Sequence, residues 1–415
     1  MKKLSPSFSS LGFLFLSLIL ILSSCQDKLE STSFYHAKTS YLISIEKIRA
    51  INTTAEAPRK MKIPGKIYIY EDYLFINEVN EGIHIVDNKN PSSPVFLSFI
   101  NIPGNVDLSI NSNILYADSY VDLIAFDISN PRAIKQTKRL KDVFESYYFN
   151  KTSGTIYAYK DTLISYKNSG PITGRPIFFD NSLAFSTSNK ASYGTGGSTA
   201  RFTLMNDKLY TVDQQNLKVF DVNEPKNPVF DKSVKIGFGI ETIFPYEDKL
   251  YIGSTRGMHI FETSNPAAPT KLSTYEHVTS CDPVVVQGRY AYVTLRSGTA
   301  CRLGINVLEV IDVQDAKNPK LVSSFPMLNP HGLSITNESL FICEGKNGLK
   351  AFNSTDVSKI GSKQLSFLKG FSAIDVIAGP KSLIVTGDDG VYQFNYSNPS
   401  SLIKLSQITL EPIYN

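Results

Sequence analysis

The chain has 415 residues, with 42 Lys and Arg against 38 Asp and Glu, a formal charge of +4. So even a balance leaves no electrostatic footprint for nucleic acid, and no basic run or basic amphipathic helix supplies a second membrane contact. Tyr (22) and Phe (25) are abundant, Trp is absent, and Gly and Pro punctuate short runs of Val, Ile, Leu and Tyr, which favours an all-β chain.

In chain order, residues 1–24 come first as a signal peptide: Lys2 and Lys3 precede the apolar run LGFLFLSLILIL, which is too short for the roughly 20 residues of a spanning helix. The following Leu22-Ser23-Ser24-Cys25 resembles a bacterial lipobox, which implies that Cys25 is lipidated and anchors the mature chain. Removing the signal leaves 40 basic against 38 acidic residues. Two or more acyl chains give durable attachment, so the expected partner is a membrane, reached through the N-terminal lipid. Residues 25–62 read as a lipidated tether and N-terminal extension, in which SIEKIRAI (44–51) has helical spacing over too short a length to decide.

From residue 63 to 410 the chain repeats. The segments GIHIVDNKNP, LIAFDISNP, LKVFDVNEPKNP, MHIFETSNPAAP, LEVIDVQDAKNP, LKAFNSTD and VYQFNYSNP align on Asp87, Asp127, Asp221, Glu262, Asp312, Asn353 and Asn395. Their intervals are 40, 94, 41, 50, 41 and 42 residues, so the second holds two periods. LISYKNSGP fills the gap with Lys167 at the Asp position. Each period reads as four antiparallel strands, the signature of a β-propeller blade. The expectation is a β-propeller of four-stranded antiparallel blades, eight in number, with seven as the alternative. The recurring Asp is expected to accept N–H bonds from the turn between the third and fourth strands, where Pro fixes φ. His84 and His259, three residues before that position, are expected to be exposed strand residues and not metal ligands.

The Asp-Asn-Pro turn after three apolar residues resembles the LVIVD repeat. Longer blocks, PGKIYIYEDYLFINEVNEGIHIVDN, IPGNVDLSINSNILYADSY, CDPVVVQGRYAYVTLRSGTAC and NPHGLSI, resemble LVIVD-repeat lipoproteins of Bacteroidetes-type bacteria over roughly residues 60–400. That resemblance implies a cell-envelope propeller, lipid-anchored in the outer rather than the inner membrane, with no established reaction. The chain departs from the repeat at Lys167 and in the 14-residue excess before Asp221, which holds FFDNSLAFSTSNKASYGTGGSTA.

Catalytic motifs do not find their contexts. Gly194-Thr195-Gly196-Gly197-Ser198-Thr199 is glycine-rich, but a phosphate cradle needs a following Lys and a helix, and the strand RFTLM follows instead. There is no His-Glu-x-x-His, no paired-cysteine zinc spacing and no calcium loop, so no cofactor or metal is expected. In a four-stranded meander, the loop leading into the first strand and the loop between the second and third strands share one end. That face collects Asn105, Asp107, Asp118, Asp282, Arg296, His331, Glu344 and Asp375, and it is the candidate binding face. Two functions compete. The favoured one is a non-enzymatic module holding a protein, glycan or small ligand. The other is a hydrolase or lyase using His331 with Asp282 and Arg296 as acid, base and anion clamp. The same meander brings Cys281 and Cys301 to one end of one blade, and an exported protein lives where a disulfide between them persists. Cys343 then remains as a buried thiol, with a bond to either of the other two as the competing arrangement.

Overall fold

The computed structural model describes residues 32–146, 148–167, 195–198, 200–277, 283–297 and 305–411. Two compact units divide the chain: one comprises residues 1–39, 160–177 and 414–415, the other residues 40–159 and 178–413. The propeller lies in the second.

Eight sheets form, and seven of them contain a four-stranded antiparallel meander. Blade 1 is Pro64–Tyr70, Tyr73–Glu78, Gly82–Asp87 and Val95–Asn101; blade 2 is Leu108–Asn111, Ile114–Ser119, Asp122–Asp127 and Lys135–Leu140. Blade 3 follows with Phe202–Met205, Lys208–Val212, Asn216–Asp221 and Val229–Lys235, and blade 4 with Ile240–Tyr246, Lys249–Ser254, Gly257–Glu262 and Thr270–Glu276. Blade 5 is Val284–Gln287, Tyr290–Leu295, Val307–Asp312 and Lys320–Pro326. Blade 6 is Leu333–Thr336, Ser339–Cys343, Leu349–Asn353 and Gln364–Leu368, and blade 7 is Asp375–Ala378, Leu383–Gly387, Gly390–Asn395 and Ile403–Thr409. The eighth sheet has three strands, Thr32–Ser44, Thr155–Lys167 and Phe149–Asn150, with Thr155–Lys167 central.

The propeller expectation holds, and among the described residues the ring takes the smaller of the two expected counts. Ile114, Tyr116 and Leu123 of blade 2 share one core cluster with Phe202, Leu204 and Leu209 of blade 3, so no blade stands between them. The copy aligned on Lys167 is the end of the long strand Thr155–Lys167 in the three-stranded sheet. Among the described residues that copy contributes no inner strand to the ring, and a blade needs one.

The recurring turn behaves as its chemistry dictates. Oδ1 of Asp87, Asp127, Asp221, Asp312, Asn353 and Asn395 each accepts the backbone N–H two residues on, at 2.9–3.0 Å. These are Asx turns. The apex carbonyls of these six turns and of the Glu262 turn then do something the sequence does not show: each takes a hydrogen bond from the preceding blade. Ser98 reaches Pro131, Tyr116 reaches Pro225 and Tyr210 reaches Pro266. Ser273 reaches Ala316, Ser323 reaches Val357 and Ser366 reaches Pro399. Ser406 of blade 7 reaches Pro91 of blade 1 at 2.6 Å, closing the circle by the same device.

Closure also uses packing and a buried amide pair. Ile67, Ile69, Leu74 and Ile76 of blade 1 pack with Ile377, Ile384, Val391 and Ile408 of blade 7. Asn88 and Gln393 exchange two amide bonds of 3.0 and 2.7 Å, and Ser382 donates to the Gln393 carbonyl at 2.7 Å. Every strand of blade 1 precedes blade 2, and every strand of blade 7 follows blade 6, so among the described residues no blade is completed by a strand from the other terminus.

The middle strands of a blade are covered on both faces by neighbouring blades, which is why Ile83–Val86 is buried throughout and not alternately. His84 belongs to that run. It is fully buried, not exposed as its position suggested, with its ring edge-on to Phe96 and Phe99 and Nε2 2.8 Å from Glu78. His259 is half-buried, with Nδ1 2.9 Å from Thr274. SIEKIRAI does form a helix, Ile45–Arg49, with Ser44 accepting from Lys47 at its start. Ile45 and Ile48 pack on Val121 and Ile156, and Arg49 makes a bidentate pair with buried Asp122.

Candidate functional site

The site is built from the first strand of each blade. Matching their pairings to the second strands puts Lys66, Asp107, Arg201, Thr242, Pro283, Gly332 and Asp375 at one level, just where the inner strand begins. In the consecutive blades 7, 1, 2 and 3 this level reads Asp375, Lys66, Asp107, Arg201, an arc of alternating charge. The other three blades contribute small uncharged side chains.

The arc is taken out of water. Asp375, Lys66 and Asp107 are 1%, 3% and 2% exposed, and Arg201 is half-buried. Burial lowers the Lys66 ammonium to about 8, against the pull of Asp107 and with Arg201 adding to the depression. Burial raises the Asp107 carboxyl, with Lys66 opposing, and it raises Asp375 well above its ordinary value. Asp107 is nonetheless well bonded, accepting Leu108 N at 2.7 Å and Arg201 N at 2.5 Å. Asp375 Oδ1 and Arg201 Nε are buried without a hydrogen-bond partner.

Asn105 and Asp118 shape the loop that presents Asp107. Asp118 Oδ1 accepts Val106 N, Asp107 N and the Asn105 amide at 2.8–2.9 Å, and burial lifts its carboxyl to about 6. Asn105 also accepts from Asn77 of blade 1 at 2.7 Å. These two residues are scaffold for the mouth.

His331 leads into blade 6 and is 6% exposed. Its N–H donates to Cys343 O, its carbonyl accepts from Thr294 of blade 5 at 2.7 Å, and its Nε2 lies 3.2 Å from the Asn329 amide nitrogen. Gly345, at φ +55°, packs so close that an added Cβ would stand 2.9 Å from that Nε2. Arg296 is half-buried just past the second strand of blade 5. Asp282, expected beside these two, lies outside the described residues, as do Cys25, Cys281 and Cys301. Cys343 is a free, buried thiol, and burial pushes its pKa well up. Glu344 accepts from Leu328 N and Asn329 N and pairs with Lys350 at 2.6 Å, which makes it a loop clamp. Among the described residues no group of three or more His, Cys, Asp or Glu side chains converges as a metal site.

The glycine-rich segment supplies the other half of the site. Thr195 and Gly196 pair with Ile69 and Tyr68 on the inner edge of blade 1, which faces the channel. Ser198 Oγ accepts Leu333 N of blade 6 at 3.0 Å, Ala200 O accepts Ile243 N of blade 4, and Arg201 N reaches Asp107 of blade 2. One short stretch therefore touches four blades across the channel. Gly196 permits this, since a Cβ there would lie 3.2 Å from the Tyr68 ring.

Lys66, Arg201 and the channel segment are the parts that reading by loops missed. A signal for the first two was present: PGKIYIY and TARFTLM align with NVDLSIN when inner strands are registered on one another.

Residues 65–101, which make up blade 1, match the LVIVD repeat. No curated protein matches the sequence. Among solved structures, the computationally designed Ika8 protein is similar, with a TM-score of 0.51 at 8% identity over 85% of this chain and 89% of that one. A functionally unknown protein from Desulfotomaculum acetoxidans gives 0.50 at 10% identity over 83% and 95%. A Lactobacillus plantarum protein gives 0.51 at 11% over 76% and 86%. At these identities the likeness is one of fold. A β-propeller with one blade that matches the LVIVD repeat supports a binding or scaffold module.

Proposed function

We propose that this protein is a membrane-anchored lipoprotein of the cell envelope, most consistent with the outer membrane, whose propeller holds a ligand on the face formed by the lead-in loops and the loops between second and third strands. The observation that carries the binding reading is the buried arc of alternating charge at the channel mouth, with the channel beneath it crossed by residues 195–201. Buried charges are costly to hold and collect at sites that use them. A crossed channel makes the mouth a cup and not a conduit. His331 packs on Gly345 with Asn329 at Nε2, a scaffold position, so an acid–base role for it gains no support from its surroundings.

The anchor rests on Lys2, Lys3, the apolar run and Leu-Ser-Ser-Cys25. Replacing Cys25 with Ser is expected to abolish metabolic lipid labelling and leave unprocessed precursor. Unchanged labelling and unchanged membrane fractionation in that variant would refute the anchor. Native mass spectrometry of protein purified from the envelope tests the cup: a co-purifying mass that Asp107→Asn and Lys66→Met variants lose supports it, and a mass retained by both places binding elsewhere.

A further inference from the structure

We propose that the charged arc at the channel mouth binds a small zwitterion, an ammonium carboxylate of amino-acid size, between Asp375 and Arg201. The proposal rests on the reading of this propeller as a binding module and gives its ligand a chemical class.

Counting the bonds at the mouth separates what is already satisfied from what is left over. Asp107 has an N–H on each carboxylate oxygen, and Asp118 Oδ1 has three donors. The leftovers in the arc are one acceptor, Asp375 Oδ1, and one donor, Arg201 Nε, both buried and unbonded, while Asn77 Oδ1, on the second strand of blade 1 beside Asn105, is a further unbonded acceptor. Asp375 and Arg201 belong to blades 7 and 3, at one level of the ring, with Lys66 and Asp107 between them, and Lys66 feels both. A ligand that completes the site must give a hydrogen bond at one end and take one at the other.

Zwitterions and polyols both meet that minimum, and the surroundings favour the zwitterion. Charge-assisted bonds are roughly twice as strong as neutral ones, and a charged group removed from water requires an opposite charge. Asp375 and Arg201 offer one of each. The mouth already holds equal numbers of acids and bases in its arc, so a ligand of no net charge leaves that balance intact. At the same level Thr242, Pro283 and Gly332 present small groups toward blades 4 to 6, and the segment 195–198 bounds the depth.

Burial raises the Asp375 carboxyl, with the Lys66 charge opposing that rise, and a ligand ammonium whose N–H donors reach the unbonded Oδ1 opposes it as well.

The test is titration calorimetry and thermal shift on the full mature protein with the free α-amino acids, and with propionate, ethylamine, glucose and N-acetylglucosamine as probes lacking one or both charges. We expect at least one amino acid to bind, with propionate and ethylamine each at least tenfold weaker. Asp375→Asn, which keeps the shape of the side chain and removes its charge, should keep the melting temperature and weaken binding at least tenfold. Arg201→Gln should weaken the carboxylate end alone, so that ethylamine binds it as it binds the parent. The idea is overturned if no amino acid binds, if Asp375→Asn binds as tightly as the parent, or if a neutral sugar is the better ligand. In the last case the ligand class falls while the binding-module reading stands.

Discussion

Gln393 is the residue on which ring closure can be tested most sharply. Its amide is fully buried, and the blade 1 to blade 7 seam has three hydrogen bonds on it, two with Asn88 and one from Ser382. Gln393→Leu keeps the volume nearly constant and removes all three. What remains is the Asn88 amide and the Ser382 hydroxyl, buried without those partners, at about 1–3 kcal/mol for each unsatisfied group. The expected loss is about 3–5 kcal/mol, within the roughly 2–6 kcal/mol that the two groups sum to. For a ring of this size that is a drop of roughly 5 °C in melting temperature, taking about 2 cal/mol/K per residue for the unfolding entropy. The control is the double variant Asn88→Leu with Gln393→Leu. It replaces both amides by apolar groups of similar shape and should cost less than either single change, so the double-mutant cycle should show coupling of about 2 kcal/mol or more. Urea unfolding of the four proteins gives the numbers. A single-variant cost under about 1 kcal/mol, or additive costs in the double, would refute the claim that this network closes the ring.

Two further outcomes follow from local chemistry. Burial would raise the Glu78 carboxyl, but the His84 bond and charge, Lys62 N–H and Arg59 outweigh it and hold it at about 2. Its folded value lies below its unfolded one, so its stabilisation, on the order of 3 kcal/mol, is fully present above about pH 5 and is lost as pH falls toward 2; Glu78→Gln should be less stable at pH 7 and show a flatter acid limb, and an unchanged limb would count against the pair. For the cysteines, peptide mapping under non-reducing conditions should find Cys281 joined to Cys301, a closure of about 20 residues worth roughly 3 kcal/mol, with Cys343 alkylated only after unfolding. Free thiols at both positions in oxidised, folded protein would remove that staple.

The sequence by itself determined the period, the antiparallel meander and the recurring turn, because these are local. An Asp or Asn that bonds an N–H two residues away needs no other part of the chain, so Asp87 and its equivalents could be assigned from spacing alone. It also placed Asp107 and Asp375 on the face where the cup lies, since loop order in a meander fixes which loops share an end. What the tertiary structure decided are the contacts between blades. Lys167 has the spelling of a repeat but, among the described residues, no inner strand in the ring, and the packing of Tyr116 and Leu123 on Phe202 and Leu209 makes blades 2 and 3 neighbours. His84 looked like an outward residue by position and is buried, because the alternation rule fails for a strand covered on both faces. The pairing of Ser406 with Pro91, and of Gln393 with Asn88, joins residues more than 300 apart along the chain. The glycine-rich segment gave no sign of its destination, since bare backbone is what fits a narrow channel and bare backbone has no side chains to announce it. The arc itself is the same kind of fact: Asp375, Lys66, Asp107 and Arg201 come from four separate repeats, and their alternation exists only once the ring has set the inner strands side by side.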